Sequence, residues 1–320
     1  MDYFFYLKNY IDKLFLEKRT GEILNLDVES IVIEFRSHLT VDFTDAQFCI
    51  LLMVTGFIPD MYPNDSSQET LYSKLVEVLV CEWAHRMGFK SDCIKQKASF
   101  EDVVIFIENG TIVCDAKSFR LGRSQAAPNV KDFLKLEDIR KWLSRYENQL
   151  GGLVTYPDTH EWRTSSDVYQ YCSSKSAPTV MLPYKYLALL LNFKDNYVPS
   201  DLKNLWNYDL LFPKSLKKDI SGGNKNSYWN VINKQILSIT GIKKKDFDDF
   251  LDFSNMRIYE CICANLDLLE KKKKDIVSQI RQEVYSLHEN QLRESLINTR
   301  IKSETAIINN LINRIKEFRL

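Results

Sequence analysis

Apolar residues recur at three- and four-residue intervals over residues 2–17, 27–38 and 45–56, so the chain opens with three predicted helices, each with one buried face. Residues 59–65 hold two prolines and read as a loop. The next helix is predicted over 67–87, with Ser66 as its N-cap, Glu69 three residues on to complete a capping box, and Gly88 as the stop. The period then changes to two, and residues 93–97 and the two halves of 102–117 read as strands. A helix over 132–150 carries the stripe Leu134, Leu136, Ile139, Trp142 and Leu143. Residues 151–156 and 179–182 read as strands joined by a polar connection over 157–178, and Pro183 opens a helix to Leu191. From Ile242 to the end the pattern is helical, with long charged stretches. Alternation of helices and strands between about residues 66 and 193 makes the fold class α/β.

Residues 102–117 form the most informative segment. Asn109-Gly110 lies between two apolar runs, the strongest short signal for a two-residue hairpin turn. With that pair at the tip, Glu108 faces Thr111, Val104 faces Asp115 and Asp102 faces Lys117. Strand side chains alternate faces, so Val103, Ile105, Ile107, Ile112, Cys114 and Ala116 share one wholly apolar face. The other face gathers Asp102, Asp115 and Lys117 at the open end of the hairpin. As diagonal neighbours the two aspartates should lie about 7 Å apart or less, a span that a divalent cation bridges. Lys117 then stands beside that ion, where it can meet a water or a phosphate oxygen. The simpler alternative is a solvated strand end closed by an Asp102–Lys117 ion pair. The dry opposite face fixes the register in either case, since a slip of one residue would bury the charges.

Forty-three basic residues balance forty-three acidic ones, so net charge predicts no partner and any nucleic-acid footprint must be local. The basic segments 214–218, 243–245 and 271–274 read more simply as solvated helix ends or loops. The seven cysteines are irregularly spaced, without a zinc-type pair, as expected of reduced, mostly buried thiols in the cytoplasm. The four histidines lie far apart in sequence and form neither a metal nor a triad spacing. Residues 1–19 carry charges throughout and no small-residue cleavage site, and the longest apolar run, 186–191, is too short to cross a bilayer. The chain therefore reads as soluble and cytoplasmic, with no membrane partner.

The run Asp115-Ala-Lys-Ser-Phe-Arg-Leu-Gly-Arg123 resembles, at every position but one, the D-A-K-S-F-R-L-x-R run of the HindIII-type restriction endonucleases, a branch of the PD-(D/E)xK nucleases. Similar segments follow the family's order at 66–74, 129–133, 187–191 and 205–207. Two departures stand out. Glu101 precedes Asp102 where the superfamily has Pro and the family Gly, and the hairpin turn is tighter than the family's.

The resemblance implies a restriction-endonuclease-like core, a mixed β-sheet flanked by helices, over 66–215. Helical regions over 1–65 and 216–320 are added to it. It also implies Mg²⁺ as cofactor, held by Asp102, Asp115 and the backbone carbonyl of Ala116. A phosphodiester repels its nucleophile, and a divalent metal offsets that charge and acidifies a bound water. Lys117 would hold the attacking water or stabilise charge on the phosphate. Glu69 matches an outer carboxylate of the family but equally reads as the capping-box residue, whereas Glu77 is placed to pair with Lys74 one turn back. For DNA contact the segment 118–131 offers Arg120, Arg123, Ser124, Gln125, Asn129 and Lys131, with structural ion pairs as the alternative for the arginines. The implied partners are double-stranded DNA, a second copy of the chain to match a palindromic site, and a cognate DNA methyltransferase. The products would carry 5′-phosphate ends, and AAGCTT is the site suggested. Two other readings use the same core: a repair exonuclease or junction resolvase, and a catalytically inactive DNA-binding module. The second is disfavoured because Asp102, Asp115 and Lys117 are all present.

Overall fold

The computed structural model describes residues 2–17, 27–93, 100–159, 162–172, 174–175, 177–286 and 290–320. Its strands are β1 (Phe57–Ile58), β2 (Lys90–Cys93), β3 (Val103–Ile107), β4 (Gly110–Ala116), β5 (Phe119–Arg120), β6 (Gln149–Tyr156) and β7 (Thr179–Pro183). Five of them form one mixed sheet in the order β2-β3-β4-β6-β7, antiparallel from β2 to β4 and parallel from β4 to β7. β1 and β5 make a separate parallel pair that draws the chain leaving β4 back onto the start of the core.

The helix Ser67–Arg86 packs on β2, β3 and β4, and the helix Leu136–Leu143 packs on β4 and β6. They cover opposite faces. Cys81 of the first helix meets Ser91, which is in register with Ile105 and Ile112. Ile139 of the second lies against Gly152, which is in register with Val113 on the alternate face. The expected apolar face of the hairpin is buried throughout, and so are Val104, Val113 and Asp115 on the other. A sheet covered on both sides is the rule where parallel strands are present.

The hairpin turns one residue earlier than the Asn-Gly signal indicates, which shifts the strand pairing by two. Ile107 pairs with Gly110, Glu108 and Asn109 form the tip, and Glu108 takes the left-handed φ of 51°. Gly110 is a strand residue because of packing: a Cβ there would lie 2.5 Å from Leu150 Cδ1. An even shift keeps every side chain on its expected face. It changes the pairing, however, and continuing the observed register puts Asp102 opposite Asp115, not diagonal to it.

Most other elements lie where periodicity puts them. The helices Tyr6–Glu17, Val28–Asp42 and Asp45–Met53 open the chain, with Asp27 and Thr44 as caps for the last two. Ser66 caps Ser67–Arg86, and Gly88 follows it with φ 83°. The predicted helix over 132–150 divides into Val130–Phe133 and Leu136–Leu143 because Leu134 is extended (φ −118°, ψ 93°), and Gln149 and Leu150 belong to β6. The predicted connection over 157–178 contains a short helix, Asp167–Cys172, that buries Val168, Tyr169 and Cys172. The strand predicted over 93–97 shares only Cys93 with β2, which spans Lys90–Cys93, and residues 94–97 lie outside the described residues.

Two long helices, Lys244–Tyr285 and Asn290–Arg319, pack against each other near the end of the chain. One hydrophobic cluster joins Leu7 and Phe35 of the first helices, Val103 and Leu153 of the sheet, and Ile258 and Ile312 of the last two helices. All seven cysteines are free thiols. Among the described residues no helix is long and apolar enough to cross a membrane.

Candidate active site

The end of β4 is held rigidly by backbone bonds. The Lys117 amide donates to the Thr155 carbonyl on β6 (2.8 Å), and the Tyr184 hydroxyl donates to the Lys117 carbonyl (2.8 Å). The Asp102 amide donates to the Cys114 carbonyl (3.1 Å), and its carboxylate accepts the Ala116 N–H (2.8 Å). Asp115 is 5% exposed and pairs with Lys117 Nζ at 2.6 Å. The structure therefore brings Asp102, Asp115, Ala116 and Lys117 together, with the lysine on Asp115 and not on Asp102.

A third carboxylate reaches this cluster. Glu77, on the helix Ser67–Arg86, pairs with Lys74 as the sequence indicates and also acts electrostatically on both aspartates. Burial pushes the Glu77 carboxyl up to about 7, with Asp115 adding to the rise and Lys74 opposing it. Asp102 is raised well above the usual carboxylate range, first by burial and then by the charges of Asp115 and Glu77. Like charges buried side by side disfavour ionisation, and a divalent cation between them would offset both effects. Among the described residues no three His, Cys, Asp or Glu side chains are spaced to hold a metal. The donor set that fits is two carboxylates, a backbone carbonyl and water, as suits the hard, strongly hydrated Mg²⁺. One signal for Glu77 was present in the sequence: it interrupts an otherwise apolar run from Leu75 to Val80.

Glu69 faces elsewhere. Ser66 Oγ accepts its amide (3.3 Å), half of the capping box. Its carboxylate takes the Asp65 N–H (2.7 Å) and pairs with Arg120 (2.9 Å). Arg120 is committed in turn, since its guanidinium also donates to the carbonyls of Pro59, Asp60, Tyr62 and Pro63. Arg123 is half-buried with its guanidinium 4.9 Å from the centre of the Phe119 ring. Asn129 caps the helix Val130–Phe133 by accepting the Lys131 amide (3.1 Å). Ser124, Gln125, Asn129 and Lys131 are exposed beyond the end of β5.

A mixed five-stranded sheet between helices, with two carboxylates and a lysine at the end of its central strand, defines a restriction-endonuclease-like α/β fold. The model of the HindIII restriction endonuclease family matches residues 11–311, and the chain belongs to that family. Type II restriction enzyme HindIII of Haemophilus influenzae (strain ATCC 51907 / DSM 11121 / KW20 / Rd) is 27% identical to it over 206 residues. That stretch is 63% of this chain and 64% of the enzyme, so the chain spans less than two thirds of the length of the relative it matches.

Proposed function

We propose that this protein is a type II restriction endonuclease that hydrolyses both strands of duplex DNA at a short palindromic site, with Mg²⁺ as cofactor and 5′-phosphate ends as products. The observation that carries the reading is the meeting of Asp102 with the buried Asp115 at the end of β4, with Lys117 paired to Asp115 and Glu77 acting on both aspartates. Bound there, a divalent cation supplies charge neutralisation at the phosphate and a more acidic water. Asp102, Asp115 and the Ala116 carbonyl hold it, and the Ala116 N–H keeps the Asp102 carboxylate oriented. Lys117 is held on both sides of its backbone, so its ammonium stays in place to position the attacking water or to stabilise charge on the phosphate. Glu77 acts as the outer carboxylate, and Glu69 serves the helix start and Arg120. The exposed residues Ser124, Gln125, Asn129 and Lys131 make the DNA contacts nearest the site.

Cleavage of both strands of a palindrome calls for two sites related by a two-fold axis, hence a homodimer, and protection of the host calls for a cognate methyltransferase in the same cytoplasm. Kinship with HindIII suggests AAGCTT as the site. Digestion of a fully sequenced plasmid with Mg²⁺, followed by sequencing of the ends, tests the proposal. Discrete duplex cuts at one recurrent sequence support it. Ladders from free ends, or cutting confined to branched DNA, would assign the same core to a repair exonuclease or a junction resolvase.

A further inference from the structure

The last helix, Asn290–Arg319, docks directly on the segment that leaves the catalytic strand. Leu311 presses on Gly122 so closely that a Cβ there would lie 2.4 Å from Leu311 Cδ2. Arg314 donates to the Gly122 carbonyl (3.3 Å), and Arg319 donates to the carbonyls of Phe318 (3.1 Å) and Gln125 (3.4 Å). This docking brings Arg319 near Arg123, and the two cations repel. Arg319 is only 8% exposed. Its Nε and the Nη1 of Arg123 are buried without a hydrogen-bond acceptor. Neither guanidinium has a carboxylate within ion-pair distance among the described residues. Asp60, the acid that acts on Arg319, turns both oxygens to the Gly122 N–H (3.1 and 3.3 Å).

Buried charge is costly unless paired, and two unmatched guanidiniums with spare N–H groups are suited to an anion with several oxygens. Arginine's planar fork favours phosphate in that role. We propose that Arg123 and Arg319 together grip one backbone phosphate of the bound duplex, so that the last helix supplies a DNA contact beside the active site. The inference rests on the nuclease reading and extends it to the far end of the chain. Arg120, fully occupied by carbonyls and Glu69, takes no part.

The test is duplex binding by the full chain over a range of salt, with Ca²⁺ in place of Mg²⁺ to block cleavage. Arg319→Gln and Arg123→Gln remove charge while keeping a donor, and Arg319→Lys keeps the charge. Losing one phosphate contact should make the slope of log affinity against log salt shallower by about 0.9, equally for cognate and non-cognate duplexes. The lysine variant should keep the wild-type slope. Unchanged slopes in both glutamine variants, with thermal stability alone lowered, would overturn the proposal and leave a structural pair. Inorganic phosphate is the other source of this chemistry. Thermal stabilisation of the wild type by phosphate, lost in Arg319→Gln while the duplex slopes stay the same, would assign the pair to a free anion and also overturn it. Failure of the wild type to bind any duplex is a different result and would sink the nuclease reading itself.

Discussion

Buried charge is treated in two ways in this molecule. Glu82 is 1% exposed and bonded to Arg86 at 2.8 Å, and Arg86 reaches Asp45 as well. Glu101 is 2% exposed and answered by Arg145 at 2.9 Å and by the Tyr146 hydroxyl. Charge is matched internally in both places. At the end of β4 the matching is incomplete: Lys117 pairs with Asp115 at 2.6 Å and Lys74 with Glu77, but no basic side chain among the described residues pairs with Asp102. Asp102, Asp115 and Glu77 repel one another on one side, and Arg123 and Arg319 repel each other on the other. A fold that can neutralise its buried charges but leaves Asp102 on one side and two guanidiniums on the other without an ion-pair partner among the described residues suits an outside cation and an outside anion. On the proposed function, Mg²⁺ and a nucleic-acid backbone would supply that pair of charges.

The contrast is sharpest at two adjacent residues. Asp102→Asn removes a charge that its neighbours repel, so cleavage should fall by orders of magnitude while the urea midpoint at neutral pH holds or rises. Glu101→Gln strips a matched pair and should lower stability by about 1–3 kcal/mol. Unfolding curves of the two variants check the opposite signs, and a stability loss in both would erase the distinction. Next in size is Lys117→Ala, which should cost about 10²–10³ in single-turnover rate while specific duplex binding in Ca²⁺ persists. Equal loss of binding and cleavage would move this lysine from the reacting phosphate to general DNA contact.

Glu77 and Glu69 lie two turns apart on one helix and differ in the same sense. Glu77→Gln should slow cleavage and raise the Mg²⁺ needed for half-maximal rate, beyond any stability lost with its Lys74 pair. Glu69→Gln should leave the rate near wild type and weaken only the hold on Arg120, by about 1 kcal/mol. Identical Mg²⁺ dependence for the two variants would remove Glu77 from the site.

The sequence made the hairpin and its faces legible because period-two patterning is local. The turn lies one residue earlier than Asn-Gly indicates, and the pairing shifts by two, because Gly110 serves a contact with Leu150, some forty residues on, and the Asn-Gly signal carries no trace of that contact. Glu69 stood out through its capping spacing, whereas the role of Glu77 depends on how a helix lies across a sheet. Arg120 and Arg123 looked alike in sequence. One is surrounded by the carbonyls of residues 59–63, and the other meets a helix almost two hundred residues further on. The helix Asp167–Cys172 was hidden by its shortness amid polar neighbours.

The smallest effect concerns Asp60, whose carboxyl burial pushes up to about 6, against the Gly122 N–H and the charges of Arg120 and Arg319. The folded state thus holds this proton more tightly than the unfolded chain does. Stability is greatest below about pH 4 as far as this group is concerned, declines as pH rises toward 6, and stays lowered above. Asp60→Asn should flatten that part of the profile. Urea midpoints at about pH 5 and pH 7.5 for wild type and variant show it, and parallel profiles would mean that Asp60 does not titrate in this window.

The account stands or falls on the cation at the carboxylate cluster. The most direct measurement is plasmid cleavage by wild type and Asp115→Asn, each with Mg²⁺ and with a chelator, on protein verified as folded by its unfolding curve. Discrete double-strand cuts by the wild type with Mg²⁺ alone, and none in the other three reactions, is the predicted result. Cutting by Asp115→Asn at the wild-type rate, or by the wild type in chelator, would contradict it.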